Sequence, residues 1–194
     1  MRPAVDEASH VILRVGLIAL MVLAGCRDAQ QAPLALVDQV DLTRFMGDWY
    51  VTANIPTFIE EGAHNAIESY RLAADGTIET TFSFRAGSFD GESKRYTPRG
   101  FVQDHPSNAI WTMQFVWPLR ADYRIAYLNS DYTQTVIGRE KRDYVWIMAR
   151  TAYIPQAEYD SILRLLAEQG YAVSRIRKVP QRWNMPSVVP GAAA

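Results

Sequence analysis

Side chains that could take part in catalysis are few and scattered in this sequence. Its 194 residues include one cysteine, Cys26, and three histidines, of which His64 and His105 lie beyond the first 30 residues. Both histidines are interpreted as surface residues. The spacings G-x-S-x-G and H-E-x-x-H and the P-loop pattern do not occur. We therefore expect no catalytic residue, no cofactor and no metal site, and a function in binding instead.

Cys26 has a chemical role that its position predicts. It ends the run VILRVGLIALMVLAGC (residues 11–26), whose continuous apolar part is about a dozen residues, fewer than the roughly 20 of a membrane-spanning helix. A basic residue, a short apolar core and small residues at the end are typical of a secretory signal peptide. The terminal LAGC resembles the bacterial lipobox, which implies cleavage before Cys26 and attachment of acyl chains such as palmitate. The alternative is an ordinary signal peptide with an incidental cysteine.

The lone cysteine also bears on location and domain organisation. A secreted protein usually has paired cysteines or none, so one thiol at the cleavage site favours an acyl anchor. Arg27, rather than aspartate, follows it, which by resemblance to bacterial sorting rules implies the outer membrane, and we expect the protein to face the periplasm. Residues 1–25 are predicted to be the signal peptide, 26–38 a tether, 39–183 one folded domain and 184–194 a disordered tail.

Composition argues for a globular protein and against nucleic-acid binding. The chain is 48% hydrophobic and 21% charged, and its net charge is −1. It has no run of lysine and arginine of the kind that a phosphate backbone requires. A length of 194 residues suits one domain better than two.

Short alternating runs separated by turn signals predict the fold. Eight such runs follow one another from residue 47 onward, with turns marked by Asp75-Gly76 and Asp90-Gly91. One later segment, IPQAEYDSILRLLAEQGY (residues 154–171), has the apolar spacing of one helix face. We therefore predict an all-β fold, an eight-stranded antiparallel up-and-down barrel with one C-terminal α-helix packed outside.

Strand alternation indicates which side chains face the interior. Counting from an inward Trp49 places an aromatic-rich set inside. An eight-stranded barrel can hold one small ligand, although the same aromatics could instead fill a packed core. The predicted cavity residues are Val51, Ala53, Glu68, Tyr70, Phe82, Phe84, Trp111, Met113, Phe115, Tyr123, Ile125, Tyr127, Tyr144 and Trp146.

Two features near the predicted open end have more than one interpretation. Glu68 is either a buried acid that touches a ligand head group or a residue of the wet rim, and the rim is favoured. The loop of residues 55–65 borders the opening, and its Phe58 and Ile59 either gate the cavity or meet a membrane.

Three motifs, in order along the chain, resemble those of the lipocalin family. Gly47-Asp48-Trp49-Tyr50 is similar to the G-x-W motif that opens the lipocalin barrel. Ser130-Asp131-Tyr132 is similar to the second motif, in which threonine usually stands in place of the serine, and Arg150 is similar to the arginine of the third. The resemblance covers roughly residues 38–183 and points to bacterial outer-membrane lipocalins and the apolipoprotein D branch.

The resemblance implies structural roles for these motif residues. Trp49 would plug the closed end of the barrel with the guanidinium of Arg150 across its ring, a cation–π contact of about 0.5–2 kcal/mol. Gly47 would let the chain turn tightly into the first strand. The predicted structural residues are Gly47, Trp49, Asp131, Tyr132 and Arg150.

For function, the resemblance implies binding of small hydrophobic molecules, and its bacterial branch implies fatty acids or lysophospholipids, stored or transported during envelope maintenance. A lipid-modifying enzyme, an isomerase or de-epoxidase, is the alternative, but the isomerase strategy uses a cavity thiol and this chain has none after Cys26.

A transmembrane barrel is disfavoured, because its lipid-facing side would need to be uniformly apolar. That side carries Arg71, Glu79, Gln114 and Arg124.

Overall fold

Ten strands and two α-helices make up the regular structure of residues 31–183, the part of the chain that the computed structural model describes. The predicted signal peptide, Cys26 and the predicted tail of residues 184–194 lie outside the described residues. The elements in chain order are α1 (Leu42–Phe45), β1 (Gly47–Ile55), β2 (Ala63–Leu72), β3 (Ile78–Ala86), β4 (Ser93–Tyr96), β5 (Arg99–Val102), β6 (Ile110–Val116), β7 (Leu119–Leu128), β8 (Gln134–Gly138), β9 (Val145–Ala149), α2 (Gln156–Glu168), a 3₁₀ turn (Val173–Arg175) and β10 (Arg177–Lys178).

The strands close into the predicted eight-stranded barrel. Neighbouring strands pair antiparallel, and β9 pairs back onto β1, where Tyr50 lies opposite Ala149. β4 and β5 are two parts of one barrel strand, because both pair with β3, one on each side of Pro98, which has no N–H to donate. β10 is a two-residue strand beside β1. The predicted fold class is confirmed.

Helix α2 packs on the outside of the barrel. It begins after Pro155, and the chain leaves it at Gly170, whose φ of +87° is a conformation that glycine adopts readily. Its buried residues Ile162 and Leu166 lie in one apolar cluster with outward side chains of the barrel, including Ile147. Burial of this one face stabilises a helix of thirteen residues that would be marginal alone. Within the described residues, no helix has the length and apolar character needed to cross a membrane.

Helix α1 is a single turn that the sequence does not predict. The Asp41 carboxylate caps it by accepting hydrogen bonds from the backbone N–H groups of Thr43 and Arg44, at 2.9 and 3.2 Å. Four residues are too few to show an apolar periodicity. The turn places Phe45, which is fully buried, beneath the first residues of β1.

Two apolar clusters hold the fold together. The inner cluster fills the barrel around Trp49 and Trp111, and the outer cluster lies between the barrel wall and α2. The buried members of both clusters lie between Leu34 and Val179. A chain of residues 27–194 therefore keeps the whole described core.

Two β-bulges correct the predicted side-chain alternation. The pairing of β1 with β9 shifts between Val51 and Ala53, and the pairing of β7 with β8 shifts between Ile125 and Tyr127. An extra residue in a strand reverses which face the following side chains occupy. As a result Ala53 and Tyr127 lie with the outer cluster, beneath α2, and not inside the barrel as the alternation predicted.

The folded part begins earlier than residue 39, its predicted start. Leu34 is buried in the outer cluster, and the backbone N–H of Val37 donates to the carbonyl of Ile125 at 3.2 Å. Val40 is fully buried in the inner cluster. These residues, two of which the sequence assigned to the predicted tether, pack on the barrel.

Candidate ligand-binding cavity

One end of the barrel is closed by Trp49 and Arg150. Trp49 is fully buried, and its indole N–H donates to the carbonyl of Phe45 at 2.9 Å. The guanidinium carbon of Arg150 lies 3.8 Å from the centroid of the indole ring, which is a cation–π contact. Gly47 has a φ of +95°, and a Cβ there would lie 3.3 Å from Arg150. The structural contact that the motif resemblance implied is thus present.

Arg150 also satisfies the free carbonyls at the end of α1. Its guanidinium donates to the backbone carbonyls of Arg44, Phe45, Met46 and Asp48 at 2.8–3.0 Å. The last carbonyls of a helix have no partner within the helix, so one half-buried cation holds the turn and the plug together. Burial lowers the pKa of Arg150 from its ordinary value, and the nearby Asp48 opposes this change.

The second motif, Ser130-Asp131-Tyr132, also lies at the closed end of the barrel. The carbonyl of Tyr132 accepts a hydrogen bond from Arg150 Nε at 3.3 Å, and the Tyr132 hydroxyl accepts one from the Asp41 N–H at 2.9 Å. The guanidinium of Arg44 lies 4.0 Å above the Tyr132 ring. Asp131 is exposed beside it, accepting from the Ser130 hydroxyl at 3.4 Å. The three sequence motifs therefore converge on the closed end.

Aromatic side chains fill the barrel directly above the plug. Trp111 is fully buried and stacks on Tyr123, with centroids 5.4 Å apart and planes 13° from parallel, while Phe45 and Tyr70 contact its edge. Val51 and Ile125 are fully buried in the same cluster. This half of the interior is a packed core, which is the alternative that the sequence left open for the aromatic set.

The other half contains a cavity of about 190 Å³. It opens between the loop of residues 56–62, the β6–β7 turn and the loop of residues 139–144. Its wall is mainly apolar and aromatic, and it also carries three carboxyl groups and one guanidinium. The lining residues are Thr57, Phe58, Ile59, Glu60, Glu68, Phe82, Pro98, Met113, Phe115, Ala121, Asp122, Tyr123, Arg139, Tyr144 and Trp146.

Seven predicted cavity residues lie on this wall, namely Glu68, Phe82, Met113, Phe115, Tyr123, Tyr144 and Trp146. Five others, Val51, Tyr70, Phe84, Trp111 and Ile125, are buried in the inner cluster without lining the cavity. The bulges place the remaining two, Ala53 and Tyr127, outside the barrel.

Glu68 lies on the floor of the cavity and not at the wet rim favoured from sequence. It pairs across the sheet with Trp49 and Phe82, well inside the barrel. The Tyr70 hydroxyl donates to its carboxylate and lies 2.5 Å from the hydroxyl of Tyr123. Burial, with a smaller contribution from Glu60, raises the pKa of Glu68 from 4.5 to about 8. Burial likewise raises the pKa of Tyr123.

Glu60 is a site residue that sequence reasoning missed. It is 3% exposed, and its carboxylate accepts hydrogen bonds from the indole N–H of Trp146 at 3.0 Å and from the backbone N–H of Thr57 at 3.0 Å. Burial raises its pKa, and these hydrogen bonds oppose the change. The contact folds the loop of residues 56–62 across the mouth. An acidic residue in a loop gives no sequence signal that it turns inward.

Arg139 and Asp122 also line the mouth and were not predicted. Arg139 pairs with Asp143 at 3.1 Å and lies 5.2 Å from the ring of Tyr144. Asp122 accepts hydrogen bonds from Arg124 at 2.9 Å and from the backbone N–H of Glu140 at 2.7 Å. The mouth thus carries both signs of charge, above an apolar wall with a protonatable acid at its floor.

Comparisons with known proteins agree with this architecture. Residues 40–181 match a family model described as a lipocalin-like domain. Temperature-induced lipocalin-1 of Arabidopsis thaliana is 27% identical over 169 residues, covering 81% of this chain and 88% of that protein. Outer membrane lipoprotein Blc of Escherichia coli (strain K12) is 25% identical over 173 residues, covering 84% and 92%. Insecticyanin from the tobacco hornworm Manduca sexta shares the fold, with a TM-score of 0.60 at 12% identity over 75% of this chain and 83% of that one.

Proposed function

The chain belongs to the lipocalin-like domain family, and from that premise we propose that it binds a fatty acid or a lysophospholipid in the cavity at its open end. The observation that carries the proposal is the wall of that cavity, in which Phe82, Met113 and Trp146 present apolar surface in an otherwise closed barrel. Small-molecule sites are concave and mostly apolar, with a few placed polar groups. An acyl chain matches this wall.

The charges of the wall favour one orientation of such a ligand. At neutral pH most Glu68 is protonated, because its pKa is about 8, so the floor presents no full charge to an acyl chain. Arg139, at the mouth, is the cation among the described lining residues and suits a carboxylate or phosphate head group. Each buried methylene would contribute about 0.8 kcal/mol, less the cost of association.

We further propose that Cys26 carries the acyl anchor and that the protein resides at the outer membrane, facing the periplasm. The name of the E. coli relative, an outer membrane lipoprotein, supports this placement, as does the lipobox-like sequence LAGC. A lipid-binding cavity held at a membrane surface lies where fatty acids and lysophospholipids partition. Storage or transport of these lipids during envelope maintenance is the role that we propose.

Binding, rather than catalysis, is the proposed activity. His64 hydrogen-bonds the carbonyl of Gly62 at 2.9 Å and His105 contacts the Ser107 hydroxyl at 2.7 Å, and neither lines the cavity. Incubation of residues 27–194 with an epoxidised fatty acid separates the two classes. We expect the lipid to be recovered unchanged, and turnover would support an enzyme instead.

Displacement of a fluorescent fatty acid from residues 27–194 tests the binding proposal. Ala121 lines the cavity, so Ala121→Trp fills it, whereas Ala74 is exposed in the β2–β3 turn at the other end and Ala74→Trp is the matched control. We expect Ala121→Trp to weaken binding by at least about tenfold and Ala74→Trp to leave it unchanged. The proposal is wrong if the wild-type chain does not bind the probe, or if both variants bind it equally well.

A further inference from the structure

Large apolar side chains are concentrated at the mouth of the cavity. In the described residues, five of the eight exposed large hydrophobic side chains lie there: Phe58, Phe115, Val116, Trp117 and Leu119. Phe58 is 86% exposed and Trp117 is 81% exposed. We call these five residues the apolar rim. Exposed apolar patches of this kind mark sites that meet a partner or a membrane.

The rim is built by two separate loops on opposite walls. Phe58 belongs to the loop after β1, which the Glu60–Trp146 hydrogen bond holds across the mouth. The other four belong to the β6–β7 hairpin, in which Val116 pairs with Leu119 across the turn. Both loops also contribute to the cavity wall, through Phe58 and Phe115. A surface that contacts the rim therefore meets the cavity opening.

The N-terminal segment joins the barrel at this same end. Leu34 packs beside Gly138, and its N–H lies 3.3 Å from the Glu140 carboxylate, in the loop that borders the mouth. Eight residues lead from Cys26 to Leu34, and an extended chain spans at most about 3.5 Å per residue, or about 28 Å in all. An acyl group on Cys26 would hold the mouth, not merely the protein, close to the bilayer.

We propose that the apolar rim docks on the surface of a lipid bilayer, with the cavity mouth facing the membrane. The proposal rests on the proposed anchor for its orientation in the cell, but the docking surface itself belongs to the barrel. Tryptophan, leucine and phenylalanine are the side chains that peripheral proteins place at the level of the lipid head groups. A ligand could then pass between bilayer and cavity without crossing open water.

The rim predicts an apolar and not an electrostatic mode of docking. Residues 115–119 (FVWPL) carry no charge, and the neighbouring loops carry both signs, as the exposed Glu61 and the half-buried Arg139 illustrate. Binding should therefore occur on zwitterionic vesicles and change little with ionic strength, whereas docking through a basic patch would weaken sharply in salt.

Co-sedimentation of residues 27–194 with phosphatidylcholine vesicles measures the docking without the anchor. The double variant Trp117→Ser/Leu119→Ser changes the β6–β7 hairpin, and Phe58→Ser changes the other loop of the rim. Tyr153→Ser, the control, changes an exposed aromatic residue that follows β9 at the closed end of the barrel. We expect the double variant to lower partitioning by at least about tenfold, Phe58→Ser by about threefold, and Tyr153→Ser not at all. All of these side chains are exposed, and circular dichroism checks that each variant is folded.

A site-specific label gives a second measurement. Cys26 is the only cysteine in the sequence, so residues 27–194 contain none, and Val116→Cys or Tyr153→Cys provides a single labelling site. An environment-sensitive fluorophore should shift to the blue on vesicles at position 116 and not at 153. Equal partitioning of the double variant and wild type, or a label at 116 that stays in water on bound vesicles, would overturn the proposal.

Two further results distinguish membrane docking from dimerisation and from ligand binding. If the chain ignores vesicles but forms a dimer that the double variant abolishes, the rim is an interface between copies and membrane docking is wrong. Trp117 and Leu119 do not line the cavity, so the double variant should bind the fluorescent fatty acid as tightly as the wild type does. Vesicle binding without fatty-acid binding would contradict the proposed function alone, and the reverse result would contradict the docking alone.

Discussion

Replacing Glu68 with glutamine should make the protein more stable at high pH, and the structure gives the size of the effect. The folded-state pKa of Glu68 is about 8, against an ordinary value of 4.5. Between these two pH values the unfolded chain has lost the proton while the folded chain retains it. Folding stability therefore falls as pH rises through this window and is fully present only below pH 4.5. The difference between 4.5 and 8, at about 1.4 kcal/mol per pH unit, gives an upper limit of about 5 kcal/mol.

Glutamine keeps the shape and still accepts the hydrogen bond from Tyr70, but it cannot ionise. Urea unfolding of the wild type and of Glu68→Gln at pH 5 and pH 9 measures the difference. We expect similar stabilities at pH 5 and a variant that is several kcal/mol more stable at pH 9. Glu61→Gln, which changes an exposed glutamate in the loop before β2, is the control. A gain at pH 9 below about 1 kcal/mol would refute the assignment of Glu68 to the floor of the cavity.

Other expected results follow from particular contacts. Arg150→Met removes the cation–π contact with Trp49 and the hydrogen bonds to the carbonyls of Arg44, Met46 and Asp48. Denaturant unfolding should therefore show a loss of about 3 kcal/mol, and a loss below about 0.5 kcal/mol would contradict the plug. Gly47→Ala forces a side chain into a φ of +95° beside Arg150 and should cost about 1–2 kcal/mol by the same measurement; an unchanged midpoint would exclude strain there. Trp146→Phe removes the donor that holds Glu60, so amide hydrogen exchange in residues 57–62 should accelerate, and unchanged exchange would mean that other contacts hold the loop.

Most of the architecture could be predicted from sequence because it depends on repeated local signals. Alternation over several residues placed Trp49, Phe82 and Met113 inside the barrel, and the apolar face of residues 154–171 predicted α2. The closed end could be predicted because Gly47, Trp49 and Arg150 stand in motifs that resemble those of the lipocalins, and that resemblance implied the contact between the tryptophan and the arginine.

What the sequence could not supply depends on single residues and on tertiary contacts. A bulge adds one residue to a strand without changing its composition, so the outward positions of Ala53 and Tyr127 were invisible to an alternation argument. The depth of Glu68 is set by its register in the sheet, where it lies opposite Trp49 and Phe82. The inward turn of Glu60 is set by Trp146, which is distant in sequence. The cavity is therefore shorter than the sequence indicated, and a carboxyl group lies at its floor.

The central claim is that the open half of the barrel is a lipid-binding cavity above a packed, plugged base. Native mass spectrometry of residues 27–194, purified gently from bacteria, tests it most directly. We expect a one-to-one complex with an acyl lipid that is lost in Ala121→Trp and retained in Ala74→Trp. A protein that carries no lipid and takes up none when a fatty acid or lysophospholipid is added would contradict it.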